Sequence, residues 1–166
     1  MFTLKNIRQD DLQELIELVK NCYEGEEVAT VTRRDPGGKG YLDGRRATEW
    51  LNLENAQVVG CLEGQTLIGG AVVRSQKNDD GNEFYQLITI FVLPNYRGNG
   101  SAQAFWQLIE KQFPAGEWVL EIPLAARREH NFFVQKCNFR VAGMKSAKHL
   151  KDGAYYMKKR LVSAEN

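Results

Sequence analysis

The stretch YQLITIFVLPNYRGNGSAQAFWQLIEKQF, residues Tyr85 to Phe113, decides the fold. Its opening, Tyr85 to Val92, is rich in β-branched and aromatic residues and holds no Gly, Pro or charge. That composition predicts a strand buried on both faces. Pro94 ends it, because proline cannot continue a central ladder. Arg97-Gly98-Asn99-Gly100-Ser101-Ala102 follows, and from Ser101 onward Phe105, Leu108, Ile109 and Phe113 recur at helical spacing. A helix therefore begins at the glycines.

A strand, a glycine turn and a helix N-terminus in succession favour an anion. The first N–H groups of a helix have no intrahelical partner, and the helix dipole adds positive potential at that end. Glycine removes the Cβ atoms that would hold a phosphate away. Arg97 stands at the mouth of this turn and can add charge. A sharp turn that needs Gly for positive φ and binds nothing explains the same residues. The segment is not a P-loop, since no Lys-Ser/Thr follows the second glycine. Only Gly98 and Gly100 are present, so G-x-G-x-x-G is absent too.

Arg97-x-x-Gly100-x-Ala102 resembles the Q/R-x-x-G-x-G/A signature of the GNAT superfamily, the acyl-CoA-dependent N-acetyltransferases. The preceding Phe91-Val92-Leu93-Pro94-Asn95-Tyr96 resembles that family's strand ending. The resemblance implies an α/β (α+β) fold: a mixed central sheet of about six to seven strands flanked by helices, with a splayed strand pair holding acetyl-CoA. It implies that the backbone of Ile90, Phe91 and Val92 faces the pantetheine and thioester. Arg97, Gly98, Asn99, Gly100, Ser101 and Ala102 would supply the pyrophosphate site.

Working outward, Phe2-Thr3-Leu4 reads as a first strand. Leu12, Leu15, Ile16 and Val19 form one apolar helical stripe, with Asp10 or Asp11 able to cap it. The region from Glu24 to Arg46 breaks the periodicity with glycines and basic residues. Long loops of this kind are uncommon unless they serve a purpose. The resemblance places Thr30 to Asp43 at the acceptor site, with Arg33, Arg34, Lys39, Arg45 and Arg46 available to an acidic group. Ala47 to Leu53 resumes helix, with Trp50 and Leu51 inward.

Gln57–Leu62 and Thr66–Arg74 form a hairpin about Glu63-Gly64-Gln65. Gly69 and Gly70 within its second strand predict a bulge or a close approach of another backbone. The polar turn from Gln76 to Asn82 returns the chain antiparallel to the Tyr85 strand. Trp118–Ile122 should lie parallel to that strand through a right-handed crossover. A short helix from Ala125 to Cys137 precedes a final strand pair, Phe139–Gly143 and Ala154–Lys159, joined by the basic connection Met144 to Asp152.

Length, charge and cysteines bound the rest. The 166 residues suffice for one domain, 1–166, with a real core. A net charge of +1 gives no overall field favouring nucleic acid or a membrane surface. The N-terminus lacks a signal-peptide apolar region, and no run suits a membrane span. Cys22, Cys61 and Cys137 are odd in number and widely spaced, as in reduced thiols of a cytoplasmic protein. His130 and His149 share no ligand spacing with them, so no metal is expected.

Catalysis by such a fold requires a base for the amine, donors for the oxyanion and a proton for the thiolate. Phe133-Val134-Gln135-Lys136-Cys137-Asn138-Phe139 resembles the family's Phe-Tyr-x-Lys-x-Gly-Phe motif. Asn138 replaces Gly, a mild change because Asn tolerates the left-handed region. Val134 replaces the Tyr that protonates the thiolate in many relatives. Ile88 or Thr89 stands where many carry a basic Glu. Glu83 and Glu121 are the candidate bases, against an ordinary solvated strand role for each. Tyr155, Tyr156, Cys137 and His130 are candidate acids. Strand alternation sends one of the two tyrosines inward.

The resemblance thus points to transfer of acetyl from acetyl-CoA to a primary amine on a small molecule or peptide, and to a homodimer as a common assembly. Two other readings remain at this stage. One is a non-catalytic acyl-CoA-binding module, for which Val134 speaks. The other is an interaction domain docking an acidic partner through its basic loop.

Overall fold

Seven strands hydrogen-bond into one sheet in the order β1-β2-β3-β4-β5-β7-β6. They are Phe2–Ile7 (β1), Ala56–Glu63 (β2), Thr66–Lys77 (β3), Glu83–Val92 (β4), Glu117–Pro123 (β5), Arg140–Lys145 (β6) and Ala154–Arg160 (β7). The computed structural model describes residues 1–24, 39–114, 116–124, 126–145 and 153–160. The expected acceptor residues Thr30 to Gly38, including Arg33 and Arg34, lie outside them. So do Ala125 and most of the connection before β7. Every strand pair is antiparallel except β4 with β5. That single parallel pair follows from the crossover through helix Ser101–Gln112 (α4), as the strand–helix–strand order requires.

Alternation along β3 divides the core between the two faces. Val73 joins a cluster with Leu87, Trp118, Leu120 and Met157, covered by Phe105, Trp106 and Ile109 of α4. Its neighbour Val72 points the other way, into a cluster with Val58 and Phe91. That second face is covered by helix Leu12–Tyr23 (α1), the single turn Lys39–Leu42 (α2) and helix Arg45–Asn52 (α3). Leu15, Val19, Tyr23, Tyr41, Ala47 and Trp50 supply the contacts. The apolar stripe read in α1 is the buried one, and Trp50 is inward as expected.

Local features depart from the sequence expectation for identifiable reasons. Asp11 does occupy the N-cap of α1, but its carboxylate makes no capping bond to the helix. It instead accepts from the backbone N–H of Arg8 at 3.0 Å and pairs with Lys5 at 3.3 Å. The last strand in sequence, β7, inserts between β5 and β6. The segment Arg127–Asn131 (α5) continues into a π-helical turn at Phe132–Lys136. Asn138, in the position of the family's glycine, has φ 62°.

The glycine pair in β3 is a close approach. A Cβ on Gly69 would lie 2.6 Å from the Phe91 carbonyl oxygen, and one on Gly70 would lie 2.6 Å from Phe91 Cζ. Just beyond, Val72 pairs with Thr89 while Val73 pairs with Leu87, so Ile88 is an extra residue in β4. This bulge reverses the alternation. It turns Thr89 to the same face as Val72, the face covered by α1.

Candidate active site

The parallel strands β4 and β5 pair only at Tyr85 with Trp118 and Gln86 with Val119. Beyond that point they diverge, and the edge of β4 from Ile88 to Val92 has no strand partner on the β5 side among the described residues. The expectation that β4 is buried on both faces fails here. Leu87, Phe91 and Val92 are buried, but Ile88, Thr89 and Ile90 are only half-buried because the splay opens beside them. A cavity of about 700 Å³ fills the gap, walled by β4 from Leu87 to Val92 and by β5 from Leu120 to Pro123. Its remaining walls come from Tyr23, the bend at Arg97, Gly98 and Ala102, and the segment carrying Arg128, Glu129, Asn131, Gln135 and Lys136.

The bend at the cavity mouth is built by two left-handed glycines. Gly98 has φ 75°, and Gly100, at the N-cap of α4, has φ 86°. No atom lies within 4 Å of the position a Cβ would take at either residue. Arg97 N–H donates to the Pro94 carbonyl at 3.1 Å, and Ser101 N–H donates to Asn99 Oδ1 at 3.1 Å. Ser101 is buried, and its hydroxyl donates to the same Asn99 oxygen at 2.7 Å. Among the described residues, the N–H groups of Gly98, Asn99, Gly100 and Ala102 have no such partner. Four donors at one exposed bend, at a helix N-terminus, are what the seat of an anion requires.

Arg97 contributes differently from the expected point charge. Its Nε donates to the Val92 carbonyl at 3.3 Å and its Nη2 to the Cys22 carbonyl at 2.5 Å. The second acceptor lies in the last turn of α1, where carbonyls lack intrahelical partners and the dipole favours a cation. Arg97 therefore ties the bend and the end of β4 to α1. On the other side, Gln103 Nε2 donates to the Lys136 carbonyl at 3.2 Å and ties α4 to the π turn.

The candidate catalytic residues separate. Glu83 sits at the far end of β4, opposite Lys77, where its carboxylate accepts from Ser75 Oγ at 2.8 Å. It is not among the cavity-lining residues. Glu121 does line the cavity and is cross-strand from Tyr156. Tyr155 packs against the α4-side core, its ring edge-on to His130 at 4.9 Å between centroids. Tyr155, Tyr156, His130 and Cys137 are all absent from the lining. Burial also pushes the Cys137 thiol up to about 12, leaving it a poor acid.

One tyrosine overlooked in the sequence does reach the cavity. Tyr23 ends α1, is buried, and packs against Tyr41 at 4.3 Å and Phe91 at 6.0 Å between ring centroids. Burial raises its phenol well above the ordinary range. In the sequence, Tyr23 continues the apolar stripe of α1 one turn beyond Val19, and nothing marks it apart from core.

The Acetyltransferase (GNAT) family model matches residues 12–139, and the chain belongs to that family. It is 31% identical over 102 residues to the uncharacterized protein YrkN of Bacillus subtilis (strain 168), a match covering 61% of this chain and 54% of YrkN. The match thus spans about half the length of that relative. Among solved structures, a GNAT-family acetyltransferase from Streptococcus agalactiae matches with a TM-score of 0.76 at 13% identity, covering 98% of this chain and 96% of that one. The PaiA N-acetyltransferase of Thermoplasma acidophilum, solved in complex with coenzyme A, matches with a TM-score of 0.66 at 15% identity. That match covers 97% of this chain and 99% of PaiA. These likenesses establish the shared fold.

Proposed function

We propose that the chain is an N-acetyltransferase that moves an acetyl group from acetyl-CoA to a primary amine of a small molecule or peptide, by direct attack in a ternary complex. The observation that carries this reading is the bend itself: four unpartnered amides and two glycines with open Cβ positions, at the mouth of a cavity between splayed strands. The diphosphate of the coenzyme fits there as the anion. The unpaired edge of β4 from Ile88 to Val92 then receives the pantetheine amides as a further strand would. An amide of that edge would stabilise the tetrahedral oxyanion. Glu121, on the β5 wall, is the base assigned to the acceptor amine, directly or through one water. Buried free thiols at Cys22, Cys61 and Cys137 fit the reducing cytoplasm in which we place the chain.

Val134 keeps a second reading in view, a module that binds acyl-CoA without turning it over. Calorimetry with acetyl-CoA and thiol-release assays on a polyamine, an aminoglycoside, an amino acid and a peptide amine separate the two. The transferase reading requires both binding and steady CoA release with at least one amine. Binding without release on any of them selects the module, and absence of binding defeats both. Gly100→Glu should abolish binding while the variant stays folded by circular dichroism, because it sets a carboxylate in the anion seat.

A further inference from the structure

The bend accounts for the diphosphate of the coenzyme and leaves its remaining phosphate, the 3′-phosphate of the ribose, without a partner. We propose that Arg128 and Lys136 grip that 3′-phosphate and make the protein selective for donors that carry it, a role that rests on the acyl-CoA reading above. Both residues line the cavity that opens at the bend, and both are exposed. Neither has an ion-pair partner among the described residues.

The fold sets the two cations on one wall. Arg128, Asn131, Phe132, Gln135 and Lys136 all line the cavity and recur at i, i+3, i+4, i+7 and i+8. That spacing is one face of a helix, here α5 running on into the π-helical turn. Lys136 is held beside the bend, because its carbonyl accepts from Gln103 Nε2 at 3.2 Å. Gln103 lies in the first turn of α4, just past Gly100 at the N-cap. In CoA the 3′-phosphate sits on the ribose whose 5′-oxygen carries the diphosphate, so one sugar ring separates the two groups. With the pantetheine running inward along β4 from Val92 toward Ile88, that ribose runs outward, past the first turn of α4 to Lys136.

The two seats differ in chemistry. The bend offers neutral N–H donors, and Arg97 donates to two carbonyls. A terminal phosphate monoester carries about 1.5 to 2 negative charges near pH 7 and is met best by charged donors. Arg128 supplies a planar fork and Lys136 a point charge. The acids on the cavity wall are Glu121 and Glu129. Glu121 belongs to β5 and is assigned to the acceptor amine. Glu129 adjoins Arg128 and makes the seat less positive than two cations alone. A donor without the 3′-phosphate, such as 3′-dephospho-CoA or a phosphopantetheine arm, gives up this contact.

Calorimetry on the full chain with CoA and with 3′-dephospho-CoA tests the assignment. The wild type should bind CoA about tenfold more tightly, the effect of charge-assisted contacts discounted for exposure. That preference should shrink as salt rises from about 0.01 to about 1 M. The Arg128→Ala/Lys136→Ala double variant should bind the two within about twofold of each other, through loss of CoA affinity and not through a gain for 3′-dephospho-CoA. Lys136→Glu should lower affinity for CoA more than for 3′-dephospho-CoA, and Lys136→Arg should keep the preference. Equal binding of the two by the wild type, or a preference that the double variant retains in full, overturns the phosphate seat while CoA binding and the transferase reading stand. CoA that does not bind at all overturns both.

Discussion

Replacing Gly70 by Ala sets two backbone effects against each other. Removing a glycine from a strand reduces the freedom of the unfolded chain and favours folding by about 0.4–1 kcal/mol. Against this, the new Cβ would lie 2.6 Å from Phe91 Cζ and 3.0 Å from Phe91 Cε2. The Phe91 ring is pinned by Trp50 stacked at 5.7 Å and by Tyr23 at 6.0 Å. It can yield only toward the cavity it lines or by opening the β3–β4 ladder. Overpacking of this kind costs about 1–3 kcal/mol, so a net loss of about 1–2 kcal/mol should result. For a chain of this size that lowers Tm by about 2–8 °C. Gly60 supplies the control. Its Cβ would also meet an atom at 2.6 Å, but that atom is the flexible end of Leu67. Gly60→Ala should therefore cost less. Calorimetric or circular-dichroism melts decide, and Phe91→Leu in the Gly70→Ala background should return part of the loss. Wild-type stability in Gly70→Ala would refute the claim that the Phe91 ring is fixed against β3.

The other expectations concern Arg97, the thiols and Asn138. Arg97→Ala should destabilise the fold by about 1.5–3 kcal/mol, as charged hydrogen bonds to the Val92 and Cys22 carbonyls are lost. Arg97→Lys should not restore it, since an ammonium lacks the fork that spans two carbonyls; full rescue in a urea titration would contradict that bridge. Cys22, Cys61 and Cys137 are buried, and burial pushes each thiol up to about 12. The native state therefore keeps protons that the unfolded chain releases above about pH 8.5. Stability should be fully present below that pH and fall above it, by up to about 1.4 kcal/mol per pH unit for each thiol. Urea melts from pH 7 to 10, roughly bracketing the free-thiol pKa, should show the slope, and a Cys→Ala variant should flatten it. Asn138→Leu should cost about 1–2 kcal/mol because its φ is 62°, whereas Asn138→Gly should be nearly neutral; equal melts for the two would deny that strain.

The sheet was legible because its strands carry strong local signals. Composition marked β4, a two-strand turn marked the β2–β3 hairpin, and the strand–helix–strand order implied the parallel pair. The bend was legible from its glycines, whose positive φ only their residue type accommodates freely. What escaped depends on contacts distant in sequence. Nothing local to Glu83 tells which end of β4 faces the cavity. The bulge at Ile88 is a single residue in an apolar run, yet it decides that Thr89 turns to the face covered by α1. Arg97 beside glycines reads as an anion's partner, and only the packing of α1 shows that it also donates to two carbonyls. Tyr155 and Tyr156 alternate along β7 as expected, but the lining tyrosine, Tyr23, comes from helix α1.

Unsatisfied amides at one bend should grip the diphosphate of CoA, and ¹⁵N–¹H correlation spectra during a CoA titration observe those amides directly. The N–H resonances of Gly98, Asn99, Gly100 and Ala102 should move downfield on saturation, while those of Arg97 and Ser101, already bonded within the protein, should move much less. Saturating CoA that leaves the first four where they began would contradict the claim.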